Sequence, residues 1–228
     1  MKITYIGHSG FAVEYEEYVL IFDYYKGKIP RMKKDKQIYV FASHSHHDHF
    51  QEKIFEWERE YPNIRYILSD DIRAERGQNR IFLGPDESCE MDGLRIKTLR
   101  STDEGVAFFV SVTGNYETKY IYHAGDLNWW HWEEEGEAYN QEMEENYKRF
   151  LSPLDGVRVD VAFVPVDPRL GEAYYWRLDW FMRHTDTELV VPMHMWERYE
   201  ICDRLMTQPE TRDYRDKIMK LGKEDECR

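Results

Sequence analysis

Hydrophobic residues fall along this chain in short runs broken by polar turns. Ile3-Thr4-Tyr5-Ile6, Phe11 to Tyr15 and Tyr18 to Phe22 predict three strands in quick succession. Gly7-His8-Ser9-Gly10 and Glu16-Glu17 are the breaks between them. After a basic connection over 26–37, Ile38-Tyr39-Val40-Phe41-Ala42 is an unbroken apolar run. It is too short for a helix and rich in β-formers, so it predicts a strand buried on both faces. Phe50, Ile54, Trp57 and Tyr61 recur at spacings of 4, 3 and 4, which predicts a helix ended by Pro62. Arg65 to Leu68 reads as a further strand, and the mixed, polar residues 70–93 fit no single element.

The second half repeats the order. Leu94 to Leu99, Val106 to Val112 and Lys119 to His123 predict three strands. A long helix is expected around 134–150, with Tyr139, Met143, Tyr147, Phe150 and Leu151 on one face. Val159 to Val164 predicts a strand ended by Pro165, and Leu178, Phe181 and Met182 a helix. Glu188 to Val191 predicts a short strand stopped by Pro192, followed by helices over 197–206 and 209–220. Hairpin-style strands open each half and β–α alternation closes it. The order predicts two α/β halves whose mixed sheets pack face to face with helices outside, a four-layer αβ/βα sandwich. No linker separates the halves, so residues 1–228 are expected to form one domain.

Composition narrows the class. At 42% hydrophobic and 15% aromatic, the chain is neither disordered nor low-complexity. Three cysteines, Cys89, Cys202 and Cys227, are too few and too scattered for a disulfide framework and suit a reducing compartment. No apolar run has signal-peptide or membrane-spanning length, so a cytoplasmic location is expected. The net charge of −13 argues against nucleic acid and anionic lipid as partners. Seven glutamates and no Lys or Arg occupy 133–145, so much of that acidity is local. Long apolar helix faces permit a homo-oligomer.

Four of the nine histidines lie between positions 44 and 49, with Asp48 among them. Imidazole and carboxylate are ligands for Zn²⁺, and histidine also suits Fe or Ni. In an extended segment His44 and His46, two apart, point the same way, whereas the adjacent Asp48 and His49 diverge and would face a second ion. His47 has the weakest case as a ligand.

The string His44-x-His46-x-Asp48-His49 resembles the first metal motif of the metallo-β-lactamase superfamily. His123-Ala124-Gly125-Asp126 is similar to that family's strand-end Gly-Asp, and Val191-Pro192-Met193-His194 to its late ligand histidine. Gly7-His8-Ser9-Gly10-Phe11 is similar to a Gly-His-Ser segment in the branch that includes ascorbate-6-phosphate lactonase. The resemblance covers about residues 1–200. It implies that His44 and His46 bind a first metal, that Asp48, His49 and His194 bind a second, and that Asp126 bridges them. The family's further histidine for the first metal has no counterpart here. The matching stretch, Leu99 to Gly105, holds Asp103 as the natural substitute, with Ser101, Thr102 and Glu104 beside it.

One or two divalent ions are thus expected, Zn²⁺ first, with Fe, Mn and Ni compatible. Such an ion lowers the pKa of its water to about 7 and supplies hydroxide at neutral pH. Asp48 would orient the water and accept its proton. The expected activity is hydrolysis of a small-molecule ester, lactone, amide or phosphodiester. A non-catalytic metal-binding or regulatory protein is the alternative, motivated by the missing histidine. A diiron redox protein is further off, since such relatives carry a glutamate where His46 stands and a flavin domain. His8, Trp129, Trp130 and His131 are candidate substrate contacts. His131 is also a weak candidate ligand. His123 is expected behind the ligands, and Asp23 to support the metal loop. Arg169 is either an anion contact or simply solvated.

Overall fold

The computed structural model describes residues 1–222, and Cys227 lies outside them. In chain order the strands are β1 (Lys2–Gly7), β2 (Gly10–Tyr15), β3 (Tyr18–Phe22), β4 (Gln37–Ala42), β5 (Ile64–Ser69), β6 (Arg80–Leu83) and β7 (Ser88–Met91). Then come β8 (Leu94–Arg100), β9 (Val106–Thr113), β10 (Thr118–His123), β11 (Arg158–Val159), β12 (Val161–Pro165), β13 (Asp186–Thr187) and β14 (Val190–Met193). The α-helices are α1 (Glu137–Leu151), α2 (Trp176–His184) and α3 (Glu200–Thr207).

Two six-stranded sheets result, ordered β1-β2-β3-β4-β5-β6 and β14-β12-β10-β9-β8-β7. Each is mixed. β1, β2 and β3 pair antiparallel, then β3 to β6 run parallel. β7 to β10 pair antiparallel, then β10, β12 and β14 run parallel. Alternation along each strand sorts the side chains between layers. On β4, Tyr39 and Phe41 face the second sheet, while Ile38, Val40 and Ala42 face an outer layer with Ile54 and Tyr61. Phe11 stacks on Phe163 at 4.3 Å, and Phe41 meets Phe108 edge-on at 5.2 Å, so the inter-sheet core is aromatic. Behind the second sheet Tyr122 stacks on Phe181 of α2. This is the sandwich the pattern predicts.

Several elements differ in detail. The segment after the histidine cluster is a 3₁₀ helix over Glu52–Arg59, with Ile54 N–H bonded to the Gln51 carbonyl. Over two turns, apolar spacing does not separate the two helix types. Pro192 sits inside β14 instead of ending a strand before it. β14 is an edge strand, where a missing N–H is tolerated. The expected helix over 209–220 is two short 3₁₀ turns, Pro209–Asp213 and Arg215–Lys217, followed by a bridge from Ile218 to Val190. Residues 70–93 hold β6 and β7. Glu133, Glu134, Glu135, Glu137, Glu142 and Glu145 are exposed, so the acidic stretch is largely a solvated surface. Among the described residues no helix is long and apolar enough to cross a membrane.

Candidate metal centre

Strand ends from both sheets meet at one rim. β1 runs into His8, β3 into Asp23 and β4 into Ser43 and His44. From the other sheet β10 leads to Asp126, β12 to Asp167 and β14 to His194. Parallel pairing places these carboxyl ends side by side, the position from which α/β sheets present their sites. The chain turns sharply there. His8, Asp23 and His194 have φ of 53°, 41° and 63°, a left-handed conformation that is costly for a side chain and gathers at functional sites. Gly105 and Gly125 allow the second sheet's loops to close on the histidine loop. A Cβ on Gly105 would lie 2.0 Å from the Ser43 carbonyl oxygen, and one on Gly125 would lie 2.6 Å from Ser43 Cβ.

Two donor groups converge at this rim. His8, Asp48, His49 and His194 form one, and His44, His46 and Asp126 the other, each with ligand atoms within 4.8 Å of one another. Asp126 lies between them. Its Oδ1 is 3.3 Å from His49 Nε2 and 3.4 Å from His194 Nε2, and its Oδ2 is 3.9 Å from His44 Nε2. Asp48 Oδ2 is 3.2 Å from His8 Nε2, 3.9 Å from His49 Nε2 and 4.0 Å from His194 Nε2. His44 Nε2 and His46 Nδ1 are 3.0 Å apart. The Nε2 atoms of His8, His49 and His194 and Oδ1 of Asp126 are buried without a hydrogen-bond partner among the described residues. Orphaned buried polar atoms are costly and rare. A divalent cation held among them would satisfy these atoms, and the imidazole–carboxylate donor set suits one.

Charge in the site follows from burial and neighbours. Burial holds the His8 and His44 imidazoles at about 4, so both are neutral near pH 7, the form that binds metal. Burial also disfavours charge on His49, but Asp126, Asp23 and Asp48 outweigh it and lift that imidazole to about 9. A cation arriving at His49 therefore displaces a proton. Burial disfavours ionised Asp126 and Asp48 as well. Adjacent imidazoles, His49 for Asp126 and His8 for Asp48, keep both carboxyls below the usual carboxylate range.

The ligand rings are held from behind. His49 donates its Nδ1–H to Asp23 Oδ2 at 2.7 Å, which turns Nε2 toward the centre. Asp23, fully buried, also accepts from Ser43 N–H at 2.8 Å and Ser43 Oγ–H at 2.6 Å. Ser43 Oγ in turn meets His44 Nδ1 at 3.0 Å. On the opposite side His194 donates Nδ1–H to Asp167 Oδ2 at 3.0 Å. Asp23→Asn keeps the size but removes the charge that orients His49. It is expected to weaken metal affinity about 10–100-fold, measured by chelator competition. Unchanged affinity would mean that His49 is not a ligand oriented by Asp23.

The anticipated residues fall unequally. His44, His46, Asp48, His49, Asp126 and His194 come together. His8, anticipated as a substrate contact, lies within the second donor group. Asp103 Oδ2 is 3.9 Å from His46 Nδ1, beside the first group and not within its ligand cluster. Burial and then Asp126 push its carboxyl pKa up. Glu104 lies 3.6 Å from His46 Nε2. Trp130 lines a cleft of about 340 Å³ over the site, together with Trp132, Tyr139, Arg169 and Trp196. Trp129 and His131 do not line it. Trp129 packs against Tyr147 and Trp176, and His131 lies on the Trp176 ring at 4.7 Å. The chain turns tightly here, with the His131 N–H bonded to the Trp129 carbonyl at 2.9 Å, and Trp130 stacks with Trp132 on the cleft side while Trp129 and His131 both meet Trp176. His123 donates to the Ser9 carbonyl and stacks on Phe22, behind the ligands. Asp167, the partner of His194, carries no sequence signal beyond an Asp-Pro-Arg string at a strand end.

The beta-lactamase superfamily domain family matches residues 2–194. A UPF0173 metal-dependent hydrolase from Cereibacter sphaeroides is 29% identical over 111 residues, which are 45% of this chain and 48% of the relative. The chain thus spans about half the length of that curated relative. Among solved structures, Igni18, a metallo hydrolase from the archaeon Ignicoccus hospitalis, is similar at a TM-score of 0.60 and 20% identity. The match covers 99% of this chain and 96% of that one. An isothiocyanate hydrolase from Delia radicum gut bacteria is similar at a TM-score of 0.59 and 16% identity, covering 100% and 98%.

Proposed function

This chain belongs to the metallo-β-lactamase superfamily, and from that premise we propose that it is a metal-dependent hydrolase of small molecules. The observation that carries the reading is the set of unpartnered, buried Nε2 atoms that converge with Asp126 at the floor of an open cleft. His44, His46 and Asp126 would hold one ion, with Asp103 beside it. Asp48, His49, His194 and His8 would hold a second, and Asp126 borders both groups. Zn²⁺ is the ion this donor set favours. When bound, a divalent ion acidifies a water to about pKa 7 and polarises the oxygen under attack.

The chain's own residues do the rest. Asp48, ionised and lining the cleft, orients the attacking water and takes its proton. Trp130 and Trp132, stacked at 5.8 Å, wall the cleft and restrict water around the reacting bond. The cleft volume falls in the range of small-ligand sites, roughly 300–1,000 Å³. Esters, lactones, amides and phosphodiesters are the substrate classes, and the cytoplasm is the proposed location. Because both sheets contribute donors to one centre, we read the chain as one domain. A metal-binding protein without turnover is the second reading. It draws on His46, which is 43% exposed and has, besides His44, Asp103 and Glu104 near it among the described residues.

One assay separates the two. Protein purified with its metal is tested on a p-nitrophenyl ester, a lactone and bis-p-nitrophenyl phosphate, before and after chelation. Turnover of at least one, lost on chelation and restored by Zn²⁺ or Mn²⁺, is the expected result. Turnover that survives complete metal removal would contradict the proposal.

A further inference from the structure

Arg169 is the one permanently cationic side chain among the described residues that line the cleft, where it joins Asp48, Asp103 and Asp126. It is built into place. Asp167 accepts from its backbone N–H at 2.9 Å, from Nε at 3.0 Å to each carboxylate oxygen, and from Nη2 at 2.5 Å. The guanidinium lies over Trp132 at 5.5 Å and over Trp196 at 5.1 Å. Such contacts fix the plane of the group and cost it little hydration. Nη1 has no partner among the described residues, and the side chain is 45% exposed toward the cleft. Asp167 Oδ2 also accepts from His194 Nδ1, so a single carboxylate ties this arginine to a donor of the metal centre.

A purely structural arginine would direct its free edge to solvent. This one lies within 5.5 Å of two indole rings that line the cleft with it. Ions held by Asp48 and Asp126 would offset those carboxylates, which leaves Arg169, paired with Asp167 through Nε and Nη2, as the cationic side chain facing a substrate. We propose that Arg169 binds an anionic group on the substrate, a carboxylate or a phosphate, so that the cleft selects acids over their neutral analogues. The inference rests on the hydrolase reading and deepens it. The planar fork supplies paired donors to an oxyanion, and the tryptophans bracket the carbon skeleton next to it.

The test is a titration of metal-loaded protein with inorganic phosphate and, separately, with acetate, followed by tryptophan fluorescence. Wild type, Arg169→Met and Arg169→Lys are compared, so any anion affinity of the metal itself is common to all three. Wild type is expected to bind at least one anion about tenfold or more tighter than Arg169→Met, with Arg169→Lys in between. The anion that shows the difference identifies the source, carboxylate or phosphate. Equal affinities for both anions in all three proteins would overturn the proposal. Turnover is read in parallel on the p-nitrophenyl monoester of glutaric acid and on neutral p-nitrophenyl pentanoate. The anionic-to-neutral ratio of kcat/KM should fall about tenfold or more in Arg169→Met. If wild type turns over neither ester, the titration alone decides Arg169, and the hydrolase reading is decided separately by the lactone and phosphodiester assay.

Discussion

Replacing Asp126 with Ala is expected to lower turnover about a thousandfold or more and to weaken metal binding in both donor groups at once. The reason is its place at the end of β10, where one carboxylate faces His49 and His194 with Oδ1 and His44 with Oδ2. No other carboxylate borders both groups within these distances among the described residues. Removing it leaves His44 and the His49–His194 pair without the carboxylate that lies between the two groups. The lost stabilisation is of the order that metal ions supply to a hydrolytic transition state, several kcal/mol. Asp126 is largely buried at the floor of the cleft, yet it sits in a turn and not in the apolar core, so folding should survive. Metal content, circular dichroism and kcat on the same preparation check this. A variant with native metal content and native kcat would show that Asp126 bridges nothing.

Asp48→Asn addresses the chemistry instead of the scaffold. Its carboxylate touches His8 and approaches His49 and His194 while lining the cleft. The amide preserves the shape but has little basicity, so the proton of the attacking water has no acceptor. General-base loss typically costs about 10²–10⁴ in rate. With metal supplied at saturation, kcat should fall by that factor, and added metal should not restore it. A rate fully recovered by excess metal would make Asp48 a ligand only. Native turnover without saturation would remove it from the mechanism altogether.

The readability of this chain depended on distance along it. His44, His46, Asp48 and His49 form a compact group because six successive residues at a strand end are enough to bring them together. The two sheets were legible because strands such as β4 are apolar throughout and the hairpins are marked by polar breaks. What required the structure was pairing between remote segments. Asp167 supports His194 across the edge of the second sheet, and nothing in Asp-Pro-Arg distinguishes that from a turn. His8 joins the donors because β1 ends beside β14, with the His8 carbonyl accepting from His194 N–H at 3.2 Å. The choice between Trp129 and Trp130 depended on a tight turn, with the His131 N–H bonded to the Trp129 carbonyl, and local composition does not say which ring such a turn aims at the cleft. The 3₁₀ turns of 52–59 and 209–217 have helix-like apolar spacing but depend on loop lengths set by the packed sheets.

All of these expectations assume that the converging donors hold metal. The most direct test is the metal content per chain of protein purified without added metal, measured by elemental analysis alongside the Asp126→Ala variant. One or two divalent ions per chain in wild type, and substantially fewer in the variant, is the predicted result. Wild-type protein that holds no divalent ion and acquires none on equilibration with Zn²⁺, Mn²⁺, Fe²⁺ or Ni²⁺ would contradict the account.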